Sequence, residues 1–286
     1  MATPFPTVWL NGKFMPLAEA HISPLDRGFL FGDGVYEVIP VYAGKLFRLS
    51  AHLRRLQYSL DAIRLANPHD DAGWQQMLQE LVDRNGGGQQ AVYLQVTRGA
   101  DQGRDHKFPV DVPATVFAMS SALPDLPDTL KENGGKVITL SDIRWHRCDI
   151  KSVALLGNIL LRQTAGDQGC DEAILIRDGY ATEGTTSSLF IVHGGTIMTP
   201  PKSNELLPSI TRDLLVELAT QHALPFREER IPEAELHAAE EVWLASSVRE
   251  VYSITELDGQ RVGSGKPGPH WRRMYEAFQE TKRAMT

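Results

Sequence analysis

An α+β fold is what this sequence predicts, on three observations. Short runs rich in β-branched and aromatic residues, bounded by Gly, Asn and Pro, are mixed with stretches of helical apolar period. The two kinds of segment do not alternate regularly, as a doubly wound βαβ sheet requires. Apolar residues make up 42% and charged residues 23% of the 286, which suits a folded core rather than disorder.

Residues 7–10 and 13–15 flank Asn11-Gly12, a strong hairpin signal. The run Asp26-Arg27-Gly28-Phe29-Leu30-Phe31-Gly32-Asp33-Gly34 follows. Its glycines predict a tight turn or a close backbone approach, not a helix interior. Residues 35–42 read as a strand, and after Ala43-Gly44 residues 45–48 return as another. A helix opens at Ser50 with Leu53, Leu56, Leu60 and Ile63 on one face. A second helix carries Trp74, Leu78, Leu81 and Val82, and Gly86-Gly87-Gly88 ends it. Residues 91–97 and 114–120 are predicted strands around a polar loop that holds Arg104 and His106.

Residues 121–133 contain Pro124 and Pro127 and little periodicity, so they are the expected linker. That gives a small N-terminal α+β domain over 1–120 and a larger C-terminal domain over 134–286. In the second, strands are expected at 136–140, 172–177, 189–192, 196–199 and 241–245. Helices are expected at 152–166, 211–222, 232–239 and 271–282.

The formal charge of -7 argues against a nucleic-acid backbone binder, though not against a basic pocket for a small anion. Cys148 and Cys170 are too few for a disulfide framework, and no Cys/His cluster has metal spacing. Neither a signal peptide nor an apolar run of spanning length is evident, so a cytoplasmic protein with no membrane partner is expected.

The chemistry concentrates in two segments, Arg144-Trp145-His146-Arg147-Cys148-Asp149-Ile150-Lys151-Ser152 and Thr182-Glu183-Gly184-Thr185-Thr186-Ser187-Ser188. A lysine beside positive charge or in an apolar setting favours its neutral, nucleophilic form. Arg144 and Arg147 are candidates for that charge. A lone carboxylate such as Glu183 can keep a pyridine nitrogen protonated, so the pair suits a pyridine aldehyde cofactor. For a phosphate, Arg55 offers a planar fork, Ser209-Ile210-Thr211 opens a helix, and Ser246-Ser247 ends a strand. Tyr36, Arg104 and His106 are candidates for a substrate carboxylate.

These segments together resemble the branched-chain and D-amino-acid aminotransferase family, the fold-type IV pyridoxal-phosphate enzymes. Asp26-Arg27-Gly28 with Phe31-Gly32-Asp33-Gly34-Val35-Tyr36-Glu37-Val38 matches the N-terminal signature. Arg144-Trp145 with Arg147-Cys148-Asp149-Ile150-Lys151-Ser152 matches the lysine segment, Glu183-Gly184 the ring-nitrogen segment, and Ile210-Thr211-Arg212 the phosphate cup. The resemblance implies two mixed α/β domains with the cofactor site between them, and a homodimer. It implies pyridoxal 5'-phosphate bonded to Lys151, with Glu183 on the ring nitrogen. It further implies Arg55, Ile210, Thr211 and Ser247 on the phosphate and Leu207 against the ring. Tyr36, Arg104 and His106 match the carboxylate trap of the D-specific branch. The implied reaction moves an amino group from D-alanine or a similar D-amino acid to 2-oxoglutarate, giving a 2-oxo acid and D-glutamate. Alternatives on the same scaffold are (R)-amine or L-branched-chain transamination and aminodeoxychorismate lyase chemistry; a non-catalytic binding protein is more distant. Ser188, Pro208-Ser209 and Arg249 depart from the family pattern and bear on substrate range.

Overall fold

The computed structural model describes residues 3–285, and these divide into two compact units. One takes the chain up to Pro124, then Ile150–Leu155 and Met285; the other takes Asp125–Asp149 and Leu156–Ala284.

The first unit is built on β1 (Thr7–Leu10), β2 (Lys13–Pro16), β3 (Gly34–Tyr42), β4 (Lys45–Leu46), β5 (Gln90–Thr97) and β6 (Thr115–Ala122). They form one antiparallel sheet in the order β2-β1-β6-β5-β3-β4. The β1–β2 turn places Asn11 at φ 46° and Gly12 at φ 93°. Positive φ at both central residues is what a tight hairpin needs, and Gly reaches it without a Cβ clash. Three helices accompany the sheet: α1 (Arg27–Phe31), α2 (Leu49–Ala62) and α3 (Asp71–Arg84). Strand alternation sends Val35, Ile39 and Val41 of β3 and Val92, Leu94 and Val96 of β5 to one face. Leu53, Leu56 and Leu60 of α2 and Trp74, Leu78 and Leu81 of α3 complete that core. Ile150 belongs to the same core, which ties the Lys151 segment to this unit.

The second unit contains α4 (Asp128–Asn133), β7 (Gly135–Ser141), α5 (Leu156–Asp167), β8 (Glu172–Arg177), β9 (Tyr180–Gly184), β10 (Ser188–His193) and β11 (Thr196–Thr199). It continues through α6 (Ile210–Gln221), β12 (Phe226–Glu228), β13 (Ile231–Pro232), α7 (Glu233–His237), β14 (Glu241–Ser246), β15 (Glu250–Leu257), β16 (Gln260–Arg261) and α8 (Pro269–Arg283). Its ten-stranded sheet has the order β12-β11-β10-β14-β15-β7-β8-β9-β13, with β16 beside β15. β7 pairs in parallel with both β15 and β8, so the sheet is mixed. Its central strands are buried almost throughout, and their sequences read as continuous runs rather than alternation.

Several local expectations need correction. The glycine-rich 26–34 segment does contain a helix, α1, because the Asp26 side chain caps it by accepting from the Gly28 N–H at 2.8 Å. The close approach was read correctly: a Cβ on Gly28 would collide with Thr97. The return strand at 45–48 is reduced to two residues, with Arg48 left-handed at φ 52°. Residues 121–133 are not structureless, since β6 extends to Ala122 and α4 occupies Asp128–Asn133. Helix α5 starts at Leu156 rather than Ser152, because residues 152–155 are drawn alongside β3. Strands β9, β12, β13, β15 and β16 were not anticipated. No helix among the described residues is long and apolar enough to cross a membrane.

Candidate active site

In the first unit, strand β3 sends Tyr36 and Glu37 to opposite faces. Glu37 points inward and is fully buried. Helix α2 presents His52, Arg55 and Ser59 at helical spacing on its buried side. Arg55 donates from Nε and Nη2 to the Glu37 carboxylate at 2.8 and 2.7 Å, and His52 Nδ1 lies 2.8 Å from the same group. Burial acts to raise the Glu37 carboxyl, but the Arg55 charge and hydrogen bonds outweigh it and hold it far below the ordinary range. Burial pushes His52 the other way, toward its neutral form, against the pull of Glu37.

The Lys151 segment lies against this strand. Tyr36 N–H donates to Lys151 O at 3.0 Å, Val153 N–H donates to Gly34 O at 3.0 Å, and Val35 bridges Ser152. The Lys151 N–H donates to Ser59 Oγ at 3.2 Å. The backbone on both sides of the lysine is therefore fixed. Its Nζ sits 4.1 Å from the centre of the Tyr36 ring. Tyr36 in turn stacks on Tyr93 at 5.6 Å, and burial pushes the Tyr93 phenol up to about 12. Lys151 thus lies beside Tyr36, and Arg55 sits on the same helix whose Ser59 holds the Lys151 backbone. Arg104 and His106 are exposed on the β5–β6 loop, both against the Phe31 ring.

In the second unit, β9 carries Glu183, which is buried. Arg144 Nη1 donates to its Oε1 at 2.6 Å, and the Leu207 N–H donates to both carboxylate oxygens at 3.2 and 3.1 Å. Arg144 is itself held by Asp142, at 2.9 Å from both Nε and Nη2, and Asp142 also pairs with Arg177 at 2.9 Å. Burial pushes the Glu183 carboxyl above its ordinary value, and Arg144 only partly draws it back. Arg144 therefore serves Glu183, and Arg147 is taken up by Asp149 at 3.0 Å; the expectation that these arginines tune the lysine gains no support.

The turn after Glu183 is braced by a buried carboxylate that sequence reasoning missed. Glu172 accepts from the Thr185 hydroxyl, from the Thr186 hydroxyl at 2.8 Å and from the Thr185 N–H at 3.2 Å. Asn158 donates to Thr185 O at 2.7 Å. The buried hydroxyl of Ser187 has no hydrogen-bond partner within the protein. Such an orphan leaves a hydroxyl free for a polar ligand, and the buried Glu183 carboxylate, raised by burial despite Arg144, would be stabilised by a protonated ring nitrogen. Helix α6 begins with Ile210 and Thr211, and Ser209 caps it by accepting from Arg212 N–H at 3.2 Å. Its leading N–H groups have no intrahelical acceptor. The Arg212 side chain turns elsewhere, to Pro200 O at 2.9 Å and Glu228 at 2.5 Å, so only the Ile210-Thr211 part of that motif opens the helix. Ser247 is half-buried in the β14–β15 turn. Arg249 is half-buried with Nη1 3.4 Å from the Tyr252 hydroxyl.

Residues 34–257 match the family described as amino-transferase class IV. The chain is a class IV aminotransferase. Two similar proteins are D-alanine aminotransferases. That of Bacillus licheniformis is 39% identical over 274 residues, 96% of each chain. That of Listeria monocytogenes is 37% identical over 275 residues, 96% of this chain and 95% of that one. Among solved structures, the T.th. branched-chain amino acid aminotransferase with pyridoxamine 5'-phosphate matches at a TM-score of 0.93 and 26% identity. It covers 99% of this chain and 95% of that one. A fold IV transaminase from Curtobacterium pusillum gives 0.77 at 27% identity over 89% and 93%. This aminotransferase accordingly has the fold-type IV architecture, and its mixed helices and sheets agree with the α+β class expected. Its Cys148 and Cys170 are both free thiols.

Proposed function

We propose that this aminotransferase uses pyridoxal 5'-phosphate to transfer the amino group of D-alanine or a similar D-amino acid to 2-oxoglutarate. The near-full-length identity to D-alanine aminotransferases carries this reading. The branched-chain aminotransferase structure that matches is 26% identical, so L-branched-chain transamination is the second reading.

In this proposal Lys151 holds the cofactor and Glu183 faces the ring nitrogen. Arg55, Ser247 and the N–H groups of Ile210 and Thr211 hold the phosphate, and Leu207 packs against the ring. When bound, the cofactor supplies an electron sink that makes the substrate Cα–H acidic. Once the substrate amine has displaced it from the cofactor, Lys151 Nζ would take the proton from Cα and deliver it to the cofactor carbon on the other side of the amino nitrogen. The Arg144 guanidinium, 2.6 Å from Glu183, opposes burial and favours the anionic carboxylate that a protonated ring needs. Leu207 N–H orients that carboxylate from the other side. Tyr36, Arg104 and His106 take the substrate α-carboxylate and set the direction of the Cα–H bond.

A homodimer is part of the same reading. Ile143, Trp145, Leu156, Ile159 and Leu160 in the second unit are large apolar side chains left more than half exposed, as an interface would use. So are a cytoplasmic location and two domains, with the Lys151 segment assigned to the N-terminal one. The test is a half-reaction in which cofactor-loaded protein meets D-alanine or L-leucine without an acceptor. Loss of the visible cofactor band with D-alanine alone is expected; a faster loss with L-leucine would replace this reading with the branched-chain one.

A further inference from the structure

The N-terminal signature contains a buried arginine for which the proposed reaction has no use. Arg27 is only 3% exposed. Its Nε donates to Asp33 at 2.9 Å, and its Nη1 and Nη2 donate to the backbone carbonyls of Asp105 at 2.6 Å and His106 at 3.4 Å. Asp33 also accepts from Arg98 Nε and Nη2 at 2.8 and 3.1 Å, while Arg98 reaches Ile63 O and Arg64 O at 2.7 and 3.1 Å. One carboxylate thus fixes two guanidiniums, and each guanidinium fixes a different stretch of backbone. Burial acts to raise Asp33, but Arg98 and Arg27 outweigh it and keep it anionic.

Helix α1 ties the loop down elsewhere too. Arg27 N–H donates to Gly99 O at 2.8 Å, and the Thr97 hydroxyl donates to Asp26 at 3.0 Å. Phe31, at the end of α1, lies 5.0 Å from the Arg104 guanidinium and 5.3 Å from the His106 ring. The exposed side chains of Arg104 and His106 therefore stand on backbone gripped from beneath by Arg27, and against an aromatic platform on the same helix.

We propose that Arg27 is a positioning residue for the substrate carboxylate: it fixes the backbone at Asp105 and His106 and so aims Arg104 and His106. The inference rests on the reading that those two side chains take the carboxylate. A planar fork reaches two successive carbonyls while its Nε stays on Asp33; an ammonium keeps the charge but lacks that fork.

The experiment compares Arg27→Lys, Arg104→Ala and the double variant as cofactor-loaded enzymes. Arg27→Lys should raise KM for D-alanine at least about tenfold, the effect of losing charge-assisted hydrogen bonds, with a smaller change in kcat. Amide hydrogen exchange should quicken across residues 104–108 and stay unchanged in α2. The double variant should raise KM by less than the product of the two single effects, because both act through one loop and only His106 is left to be misplaced. An unchanged KM in Arg27→Lys beside a raised KM in Arg104→Ala overturns the proposal, as does multiplication of the two effects. An unchanged KM in Arg104→Ala removes the carboxylate reading itself, and the substrate role of Arg27 with it; the exchange rates then still report whether Arg27 holds the loop. Arg27→Gln is the second variant should the lysine protein not fold. Failure of both to fold assigns Arg27 to stability and overturns the proposal.

Discussion

Glu37→Gln should destabilise the first unit more than an ordinary polar substitution. The Glu37 side chain is fully buried and the Arg55 side chain is 6% exposed. Glutamine keeps the shape and one acceptor oxygen but removes the charge that faces Arg55 Nε and Nη2 and His52 Nδ1. Removing one partner of a buried ion pair costs about 3–5 kcal/mol, because the other charge stays in a poor solvent. Against a domain stability of about 5–15 kcal/mol that is a large share. With a urea slope of about 1–3 kcal/mol per molar, the unfolding midpoint should fall by at least about 1 M. Fluorescence suits the assay, since Trp74 lies in the core of this unit. A fall below about 0.3 M would refute the reasoning, because Arg55 would then be compensated without the carboxylate. The pH dependence follows with a definite sign. Glu37 is held below its ordinary 4.5, so its contribution is complete above that pH and is lost as pH falls toward the folded-state value. His52 is held below 6.5 by burial, so it too favours the folded state at higher pH and begins to oppose it as pH drops below 6.5. The parent should therefore lose stability in two stages on acidification, and Glu37→Gln should lack the lower one.

Other outcomes follow from single contacts. Gly28→Ala places a methyl group against Thr97 and should cost about 1–3 kcal/mol in urea unfolding. Ser209→Ala removes the cap of α6 and should cost about 1 kcal/mol; in the proposed reading it should also weaken cofactor binding measured by fluorescence titration. In the proposed reading Glu183→Gln keeps an acceptor for Leu207 N–H but cannot hold a ring proton, so kcat should fall by about a hundredfold or more. A kcat within a factor of a few of the parent would remove Glu183 from that role.

Much of the fold was readable where one rule decided the outcome. Asn11-Gly12 marked its hairpin because only a tight turn with positive φ at both positions joins such strands. The apolar faces of α2 and α3 emerged because each buries a single side. Strand β15 escaped because Glu250, Ser253 and Thr255 are buried among apolar neighbours, which leaves no clean alternation to read. Helix α1 escaped because its cap outweighs the glycine at its second position. Lys151 and Glu183 are candidates through the resemblance of their segments to the family, and the residues that hold them were not legible. Ser59, Asn158 and Glu172 are distant in sequence from what they hold, by 92 residues in the case of Ser59 and Lys151. Such contacts exist only once the strands are registered, so no local spacing announces them. Arg27 was visible in the signature, yet its grip on Asp105 and His106 required the loop to be in place.

In the proposed function a single lysine, fixed beside Tyr36 of β3, carries the cofactor. Loading the protein with pyridoxal 5'-phosphate, reducing it with borohydride and mapping the phosphopyridoxyl group by peptide mass spectrometry tests that claim most directly. One stoichiometric label is expected, on Lys151, and none in Lys151→Ala. A label on another lysine, or equal labelling of the alanine variant, would contradict it.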